Sequence, residues 1–252
     1  MNLSLYVMTA LTNNERKRIR SLGSKKFRDE LGMFVIEGEK MLEEALKSDF
    51  QVLKVYRKDE IGEEAMSSIS SLDSASPVLA IVKSGSVDLK PEIKNGLYLA
   101  LDSIRDPGNL GTILRIADWF GINGVVASPD TVEIYNPKVV QATMGAIFRV
   151  KFAYSDIAAF SSDVLKSGGK VYGTFLDGEN IYRKEIATGR DECSVIVIGN
   201  ESKGISEVVS KLVSDRLYIP PFPMDNPGSE SLNAAIATAI TVAEFRRRAL
   251  GL

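Results

Sequence analysis

The amino-terminal part of the chain alternates between short apolar runs and amphipathic segments. Thr12 and Glu15 fit a capping box at the start of a helix that runs toward Leu22. The pattern then predicts strands at residues 32–36, 51–56 and 78–82, with helices at 37–47 and 60–69. Residues 83–96 shift to Lys, Ser, Gly, Asp, Pro and Asn, which favours a linker. We therefore predict a small α/β domain over residues 1–90.

Strands and helices alternate more regularly after this linker. The pattern predicts strands at residues 97–101, 124–127, 149–153, 170–175, 194–198 and 216–219, and helices at 109–120, 137–147, 156–166, 205–212 and 231–248. Repeated strand–helix units are typical of a parallel sheet with helices on both faces. Residues 91–252 are thus predicted to form a parallel-sheet α/β domain.

Composition narrows the class of protein. With 44% hydrophobic and 25% charged residues, the 252-residue chain matches an ordinary globular protein. No run approaches the ~20 apolar residues of a membrane span, and the start lacks the features of a signal peptide, so we expect a cytoplasmic protein without a membrane partner. The chain has no histidine and one cysteine, which removes the commonest general base and metal ligand. We expect chemistry without a metal.

Three polar stretches follow predicted strands, where a parallel sheet places its ligands. In the first, residues 106–109 have turn chemistry, Asn109 can cap the next helix, and Arg115 lies off the apolar stripe of that helix. Taken alone, a helix cap and a solvated charge explain this stretch better than a functional site does.

The second stretch, residues 199–204, reads Gly-Asn-Glu-Ser-Lys-Gly and follows a buried strand. It could cradle an anion or a nucleoside, because both glycines permit close approach to the backbone. It matches neither a Walker A loop nor the dinucleotide fingerprint G-x-G-x-x-G. A tight turn with a helix cap explains it equally well.

The third stretch, residues 219–235, contains four prolines that stiffen a loop before an apolar helix. Ser231 or Asn233 begins that helix. The stiff loop could form a rigid binding wall. The small residues of the helix allow close contact with a second subunit, although packing against the core is the ordinary explanation.

In this order, the three stretches resemble the three motifs of the SpoU/TrmH family in the SPOUT superfamily, which are RNA 2′-O-ribose methyltransferases. The matching residues are Asn109, Gly111 and Arg115 in the first motif, Gly199, Asn200, Glu201 and Gly204 in the second, and Ile219, Pro220, Ser231, Leu232 and Asn233 in the third. The resemblance covers nearly all of residues 97–248. The loop at 221–230 is longer than is usual in the family, and residues 34–38 resemble the small substrate-binding domain that often precedes the catalytic domain.

The resemblance implies a fold, a cofactor and partners that the pattern alone does not give. The catalytic domain would end in a trefoil knot that binds S-adenosylmethionine, within a homodimer whose sites combine residues of both subunits. The substrate would be a ribose 2′-hydroxyl in tRNA or rRNA. The implied catalytic residues are Asn109, Arg115, Glu201, Ser231 and Asn233, and the implied cofactor contacts are Gly199, Asn200, Ile219 and Leu232. A bulky residue at Gly199 is expected to fill the space of the cofactor.

Arg115 is the residue that the family resemblance connects with activation of the hydroxyl. A guanidinium has a pKa above about 12 and is a poor base without strong perturbation. We therefore favour phosphate binding and charge stabilisation by Arg115 over direct proton removal.

Three other classes of protein share parts of this pattern. A dinucleotide-dependent oxidoreductase would need G-x-G-x-x-G in its first strand–helix turn, which residues 106–111 do not supply. A catalytically inactive RNA-binding protein on the same fold is the main alternative, and cofactor affinity would distinguish it. A purely structural dimerisation protein would not need Asn109, Arg115, Glu201 and Asn233 at strand ends.

The net charge of −2 does not by itself indicate a nucleic-acid partner, but the cations are unevenly distributed. Seven fall at positions 16–28 with no acidic residue between them: Arg16, Lys17, Arg18, Arg20, Lys25, Lys26 and Arg28. A solvated helix face is the ordinary explanation of such a run. Because the run begins the predicted substrate-binding domain, we favour contacts with RNA phosphates.

Overall fold

The computed structural model describes residues 11–85, 93–186, 192–224 and 231–251. The chain divides into two compact units. The first comprises Met1–Gly85 with Glu133–Phe148, and the second comprises Ser86–Val132 with Arg149–Leu252. The predicted domain boundary near residue 90 lies outside the described residues, as do residues 225–230 of the long loop.

The elements of the amino-terminal part follow the predicted alternation, with one helix added and the helix predicted at 60–69 divided at Gly62 into two short helices. They are α1 (Asn13–Ser21), α2 (Lys25–Leu31), β1 (Met33–Glu37), α3 (Glu39–Leu46), β2 (Val52–Arg57), α4 (Lys58–Ile61), α5 (Glu63–Ile69) and β3 (Val78–Lys83). The capping box predicted for α1 is present, because Thr12 Oγ1 accepts from the Glu15 amide and the Glu15 carboxylate accepts from the Thr12 amide. Helix α2 was not predicted. It ends at Gly32, whose φ of 59° suits glycine.

The remaining elements, also in chain order, are β4 (Gly96–Leu101), α6 (Pro107–Trp119), β5 (Gly124–Ala127), α7 (Pro137–Thr143), β6 (Phe152–Tyr154), α8 (Ile157–Lys166), β7 (Lys170–Asn180), β8 (Cys193–Ile198), α9 (Glu207–Ser210), β9 (Asp215–Tyr218) and α10 (Ala234–Ala249). A short 3-10 turn covers Ala146–Phe148. The helix predicted at 137–147 ends early, because Met144 adopts a left-handed conformation with φ 50°.

The first unit is built on a three-stranded antiparallel sheet in the order β1-β3-β2. One buried cluster joins this sheet to the helices α1 and α5, and its members include Ile19, Leu22, Met66 and Ile69. Burial of such apolar side chains supplies the main stabilisation of a small sheet of this kind.

Residues 133–148 belong to the first unit, although they lie between two strands of the second in sequence. Phe34 of β1 stacks on Tyr135 with ring centroids 4.5 Å apart. The Phe148 ring also stacks on Phe34, with centroids 6.5 Å apart. The Tyr135 hydroxyl donates to the Gly85 carbonyl at 3.2 Å and accepts from its amide at 2.9 Å. The division predicted from sequence, 1–90 and 91–252, does not include this exchange, because the aromatic contacts that cause it join distant parts of the chain.

The second unit contains a six-stranded sheet in the order β6-β5-β4-β8-β7-β9, and every pairing in it is parallel. This confirms the predicted α/β class. Phe160 of α8 packs with Tyr98 on one face, and Phe245 of α10 meets Tyr172 edge-on, with centroids 5.0 Å apart. Helices therefore cover both faces, as a parallel sheet requires.

None of the described helices combines the length and the apolar composition that crossing a bilayer requires.

Candidate functional site

The three polar stretches meet in the second unit, at the edge formed by the carboxyl ends of β4 and β8 and the amino ends of α6 and α10. This is the edge at which open parallel sheets bind ligands. The strands β4 and β8 are neighbours with Leu101 opposite Ile198, so the loops that follow them start side by side.

Asn109 was expected to cap α6, but Asp106 does so. The Asp106 carboxylate accepts a hydrogen bond from the Asn109 amide at 2.7 Å, and Pro107 takes the first helical position. The side chain of Asn109 is therefore available for other partners, although it is only 7% exposed.

Asn109 connects the other two motifs. Its amide nitrogen donates to the Glu201 carboxylate at 2.9 Å, and its amide oxygen accepts from the Asn233 side chain at 2.8 Å. Asn233 in turn caps α10, because its side-chain oxygen accepts from the amides of Ala235 and Ile236. A continuous chain of hydrogen bonds thus runs from Asn233 through Asn109 to Glu201. We call it the Asn233–Asn109–Glu201 chain.

The loop after β8 folds back on itself. The backbones of Asn200 and Gly204 exchange two hydrogen bonds, and the Asn200 side-chain oxygen accepts from the amides of Ser202 and Lys203. A Cβ atom at Gly199 would lie 2.3 Å from the Gly204 carbonyl carbon and the Ile205 nitrogen. Gly199 is thus required by the closure of this loop itself. The expectation that a bulky side chain there would fill the space of the cofactor stays a prediction beside this constraint.

Sequence reasoning missed a polar cluster beside this loop. The Asn200 side chain donates to the Ser103 carbonyl at 2.7 Å, and Ser103 has a φ of 63° that is uncommon for serine. Asp130 accepts from the hydroxyls of Ser103 and Ser128, each at 2.7 Å, and from Arg105 at 2.8 Å. Donation from the Ser128 hydroxyl, followed by Ser103, holds the pKa of Asp130 below its usual range.

A signal for this cluster was present in the sequence. Ser103 follows β4 and Asp130 follows β5, and these neighbouring strands end at the same edge of the sheet. Polar residues after adjacent parallel strands are expected to converge there. The positive φ of Ser103 has no comparable sequence signal.

The predicted cofactor and catalytic residues of the third motif lie at the ends of β9 and α10. Ile219 is half-buried, and Leu232 is 49% exposed in spite of its apolar side chain. Ser231 is also exposed, and within the described ranges its side chain has no hydrogen-bond partner. The structure therefore brings Asn233 into the hydrogen-bonded chain but not Ser231.

Arg115 is exposed on α6, about 1.7 turns after Asn109. No ion pair joins it to any part of the chain that the structure describes. Trp119, one turn further along, is 85% exposed. Residues four apart share a helix face, so the arginine and the tryptophan form one exposed surface.

The basic run of the first unit divides into two groups. Arg16 is half-buried, while Lys17, Arg18 and Arg20 are exposed on α1. Lys25 and Lys26 pair with the acidic residues one turn further along α2, Asp29 and Glu30, at 2.5 and 3.9 Å.

Arg28 is a correction to the predicted RNA-binding set. Its side chain is buried, pairs with Glu133 and donates to the Leu22 carbonyl at 2.8 Å. It therefore fixes the segment that contains Glu133 to the first unit, and no phosphate can reach it.

The described residues contain no group of three or more His, Cys, Asp or Glu side chains arranged to hold a metal ion.

Comparison with known proteins identifies the family. Residues 96–243 match the SpoU rRNA Methylase family, and residues 13–84 match the MRM3-like substrate binding domain. The 23S rRNA (guanosine(2553)-2′-O)-methyltransferase RlmP of Bacillus subtilis is 29% identical over 249 residues, which cover 93% of this chain and 96% of that protein.

Several solved structures resemble nearly the whole chain. A TrmH-family protein from Porphyromonas gingivalis is 35% identical with a TM-score of 0.84, and the match covers 94% of this chain and 99% of that one. The AdoMet-bound rRNA methyltransferase from Sinorhizobium meliloti is 30% identical with a TM-score of 0.83, covering 95% and 97% respectively. The family match spans more than half of the sequence and includes all three motifs, so this chain belongs to the SpoU rRNA Methylase family.

Proposed function

We propose that this protein transfers a methyl group from S-adenosylmethionine to the 2′-hydroxyl of a ribose in tRNA or rRNA. The Asn233–Asn109–Glu201 chain carries the proposal, because it joins three separate motifs at the ligand edge of the sheet. The activities named for the Bacillus subtilis relative and the cofactor in the Sinorhizobium meliloti structure support it.

The residues at this edge fit the proposed cofactor. Leu232 and Ile219 offer partly exposed apolar surface for an adenosine, and Phe222 is 97% exposed in the loop that follows Ile219. The backbone around Gly199 and Asn200 would complete the contact. Bound there, S-adenosylmethionine would supply a methyl group activated by its positively charged sulfur.

The residues of the protein itself would orient the ribose hydroxyl that attacks, and they would stabilise the charge that develops on its oxygen. In-line displacement requires the ribose oxygen to be held in one orientation, and fixed hydrogen-bonding groups provide this at little entropic cost. Glu201 and Asn109 are fixed by each other, so they can position ribose hydroxyls without reorganisation. Ser231 is exposed and has no side-chain partner among the described residues, so it would add a further hydrogen bond.

Arg115 would bind the phosphate next to the reacting ribose. Its exposure and lack of an ion pair to the described residues leave its five N–H donors available to an oxyanion. In a homodimer, an exposed arginine on α6 could complete the site of the partner subunit, which is the arrangement that we propose.

We also propose a homodimer formed through α6 and α10, in the cytoplasm, with a trefoil knot in the catalytic unit. Trp119 and Ile236 support the dimer, because they expose 85% and 50% of their surface on these two helices. The knot stays a prediction from the family resemblance.

The test uses the purified full-length protein, S-adenosylmethionine with a tritiated methyl group, and total RNA from cells lacking the gene. Label in a 2′-O-methylnucleoside after nuclease digestion is the expected result. Mapping the 2′-O-methyl group lost on deletion then identifies the nucleotide. RNA binding without label incorporation or cofactor affinity would instead indicate the catalytically inactive RNA-binding protein.

A further inference from the structure

The first unit contains a cavity of 140 Å³ that the proposed chemistry does not use. It is lined by the end of α1, by β1, by the end of α5 and by α7, all within this unit. Its apolar wall consists of Ile19, Leu22, Val35, Ile69, Pro137 and Val140. A cavity of about 150 Å³ holds one benzene molecule, so there is room for the six-membered ring of a base, which carries the exocyclic amino group in adenine, cytosine and guanine alike.

A buried carboxylate faces this cavity. Glu37 is 4% exposed, and no ion pair with the described residues neutralises it. One of its oxygens accepts from the amide and hydroxyl of Ser71 at 2.8 and 2.7 Å, and the other accepts from the Ser70 hydroxyl at 2.5 Å. A carboxylate offers about four acceptor positions, so these three donors leave one position open.

Two further polar side chains line the same cavity. Gln141 is half-buried and Arg20 is exposed, and neither forms a side-chain hydrogen bond to a residue in the described part of the chain. The guanidinium of Arg20 only donates, the carboxylate of Glu37 only accepts, and the amide of Gln141 does both. A lining that combines apolar side chains with these hydrogen-bonding groups suits the flat faces and the polar atoms of a nucleobase.

We propose that this cavity binds one unpaired nucleobase with an exocyclic amino group. The amino group donates to the open position on Glu37, and Gln141 and Arg20 donate to the ring nitrogen or carbonyl beside it. Uracil has two carbonyls and no amino group, so one carbonyl oxygen would face the carboxylate. The exposed cations Lys17 and Arg18 on α1 add contacts with the adjoining phosphates. This inference rests on the proposed RNA substrate, and it assigns a base preference to the amino-terminal unit of the protein.

The experiment measures the affinity of the full-length protein for fluorescein-labelled single-stranded hexaribonucleotides, at one fixed salt concentration and without cofactor. The probes are hexauridylate and three sequences in which one central uridine is replaced by A, C or G. At least one of the three is expected to bind five- to tenfold more tightly than hexauridylate.

Two variants test the cavity itself. Glu37→Gln places an amide donor where the amino group donates, and Gln141→Leu removes one hydrogen-bonding side chain while keeping its size. In each variant, the affinity for the preferred probe is expected to lie within twofold of the affinity for hexauridylate. Gln51→Leu is the matched control, because Gln51 is exposed and does not line the cavity. This control variant should prefer the same probe over hexauridylate by the same factor as the unaltered protein.

Several outcomes would overturn the inference. These are equal affinity for all four probes, or a preference that survives in both variants. If Glu37→Gln lowers the melting temperature too far for use, Gln141→Leu decides alone. Failure of methyl transfer would refute the proposed function separately, because oligonucleotide affinity is measured without that reaction.

Discussion

A single amide side chain joins the three motifs. Asn109 donates to Glu201 and accepts from Asn233 at the same time, which only a side chain with both kinds of group can do. Aspartate has nearly the same shape but cannot donate a hydrogen bond when ionised. Its negative charge would also repel the carboxylate of Glu201. The identity of this residue is therefore more constrained than its size.

We predict that Asn109→Asp lowers kcat for methyl transfer by about 10²-fold, the scale of losing one positioned donor. Affinity for S-adenosylmethionine, measured by calorimetry, should change less than about twofold, a shift below 0.5 kcal/mol. Asn136→Asp is the control, since Asn136 caps α7 through its side-chain oxygen and aspartate caps equally well. Unchanged kcat in Asn109→Asp would separate the hydrogen-bonded chain from catalysis.

Gly199 gives a second prediction at this scale. A methyl group there would lie 2.3 Å from two backbone atoms that cannot yield, so Gly199→Ala should reduce the free energy of unfolding by about 1–3 kcal/mol. Thermal unfolding should show a lower melting temperature together with weaker cofactor binding.

The control for this variant is Gly124→Ala, whose Cβ would make ordinary 3.4 Å contacts with the Tyr98 ring. It should unfold close to the temperature of the unaltered protein. If Gly199→Ala loses cofactor affinity with no change in melting temperature, the glycine is needed for the cofactor and not for the loop.

At the scale of elements, hydrophobic periodicity predicted most strands of the parallel sheet, but it did not predict the short elements correctly. Strands β4, β5, β8 and β9 and helix α8 lie close to their predicted positions, whereas β6 begins three residues later than predicted and β7 ends five residues later. Helix α2 has only seven residues, with apolar side chains at Phe27 and Leu31, which is too few for a periodic signal. The helix predicted at 205–212 is reduced to Glu207–Ser210.

The candidate site was predictable in position but not in connectivity. The sheet rule places residues after β4 and β8 together, so the convergence of Asn109 and Glu201 follows from sequence. Two features did not follow. Asp106 replaces Asn109 as the cap, and Ser103 adopts a positive φ stabilised by Asp130. Both depend on competition between polar groups that only the folded backbone decides.

The basic face of α1 leads to the third prediction. Neutralising Arg16, Lys17, Arg18 and Arg20 together should weaken RNA binding and flatten its salt dependence. Each lost phosphate contact should remove about 0.7–0.9 from the slope of log affinity against log salt. Filter binding over a range of salt concentrations measures the slope, and affinity for S-adenosylmethionine should be retained.

The comparison for this face is the double neutralisation of Lys25 and Lys26, which already have acidic partners on α2. These pairs are exposed, so their own stabilisation is small. The double variant should change the slope much less than the quadruple variant does. Equal slopes in the quadruple variant and the unaltered protein would leave α1 as an ordinary solvated face.

At the scale of the whole molecule, the fourth prediction concerns assembly. We expect twice the chain mass of 27.5 kDa in light scattering at micromolar concentration. Trp119→Glu should give the monomer, because a carboxylate cannot be buried in an interface without a partner. Methyl transfer should be lost with the dimer if Arg115 acts in the site of the partner subunit.

Leu176→Glu serves as the control for assembly, since Leu176 is a 70% exposed apolar residue of β7 outside α6 and α10. It should remain dimeric. A monomer in the unaltered protein, or a dimer in Trp119→Glu, would refute the proposed interface.

The segment Glu133–Phe148 limits how this protein can be taken apart or recombined. A truncation that removes residues 1–85 would leave Tyr135 and Phe148 without their stacking partner Phe34, and Glu133 without Arg28. The shortened enzyme would therefore expose a hydrophobic surface that promotes aggregation. A chimera that exchanges RNA specificity between relatives must graft two separate pieces of sequence at once. Evolution by simple swapping of an amino-terminal module would face the same constraint.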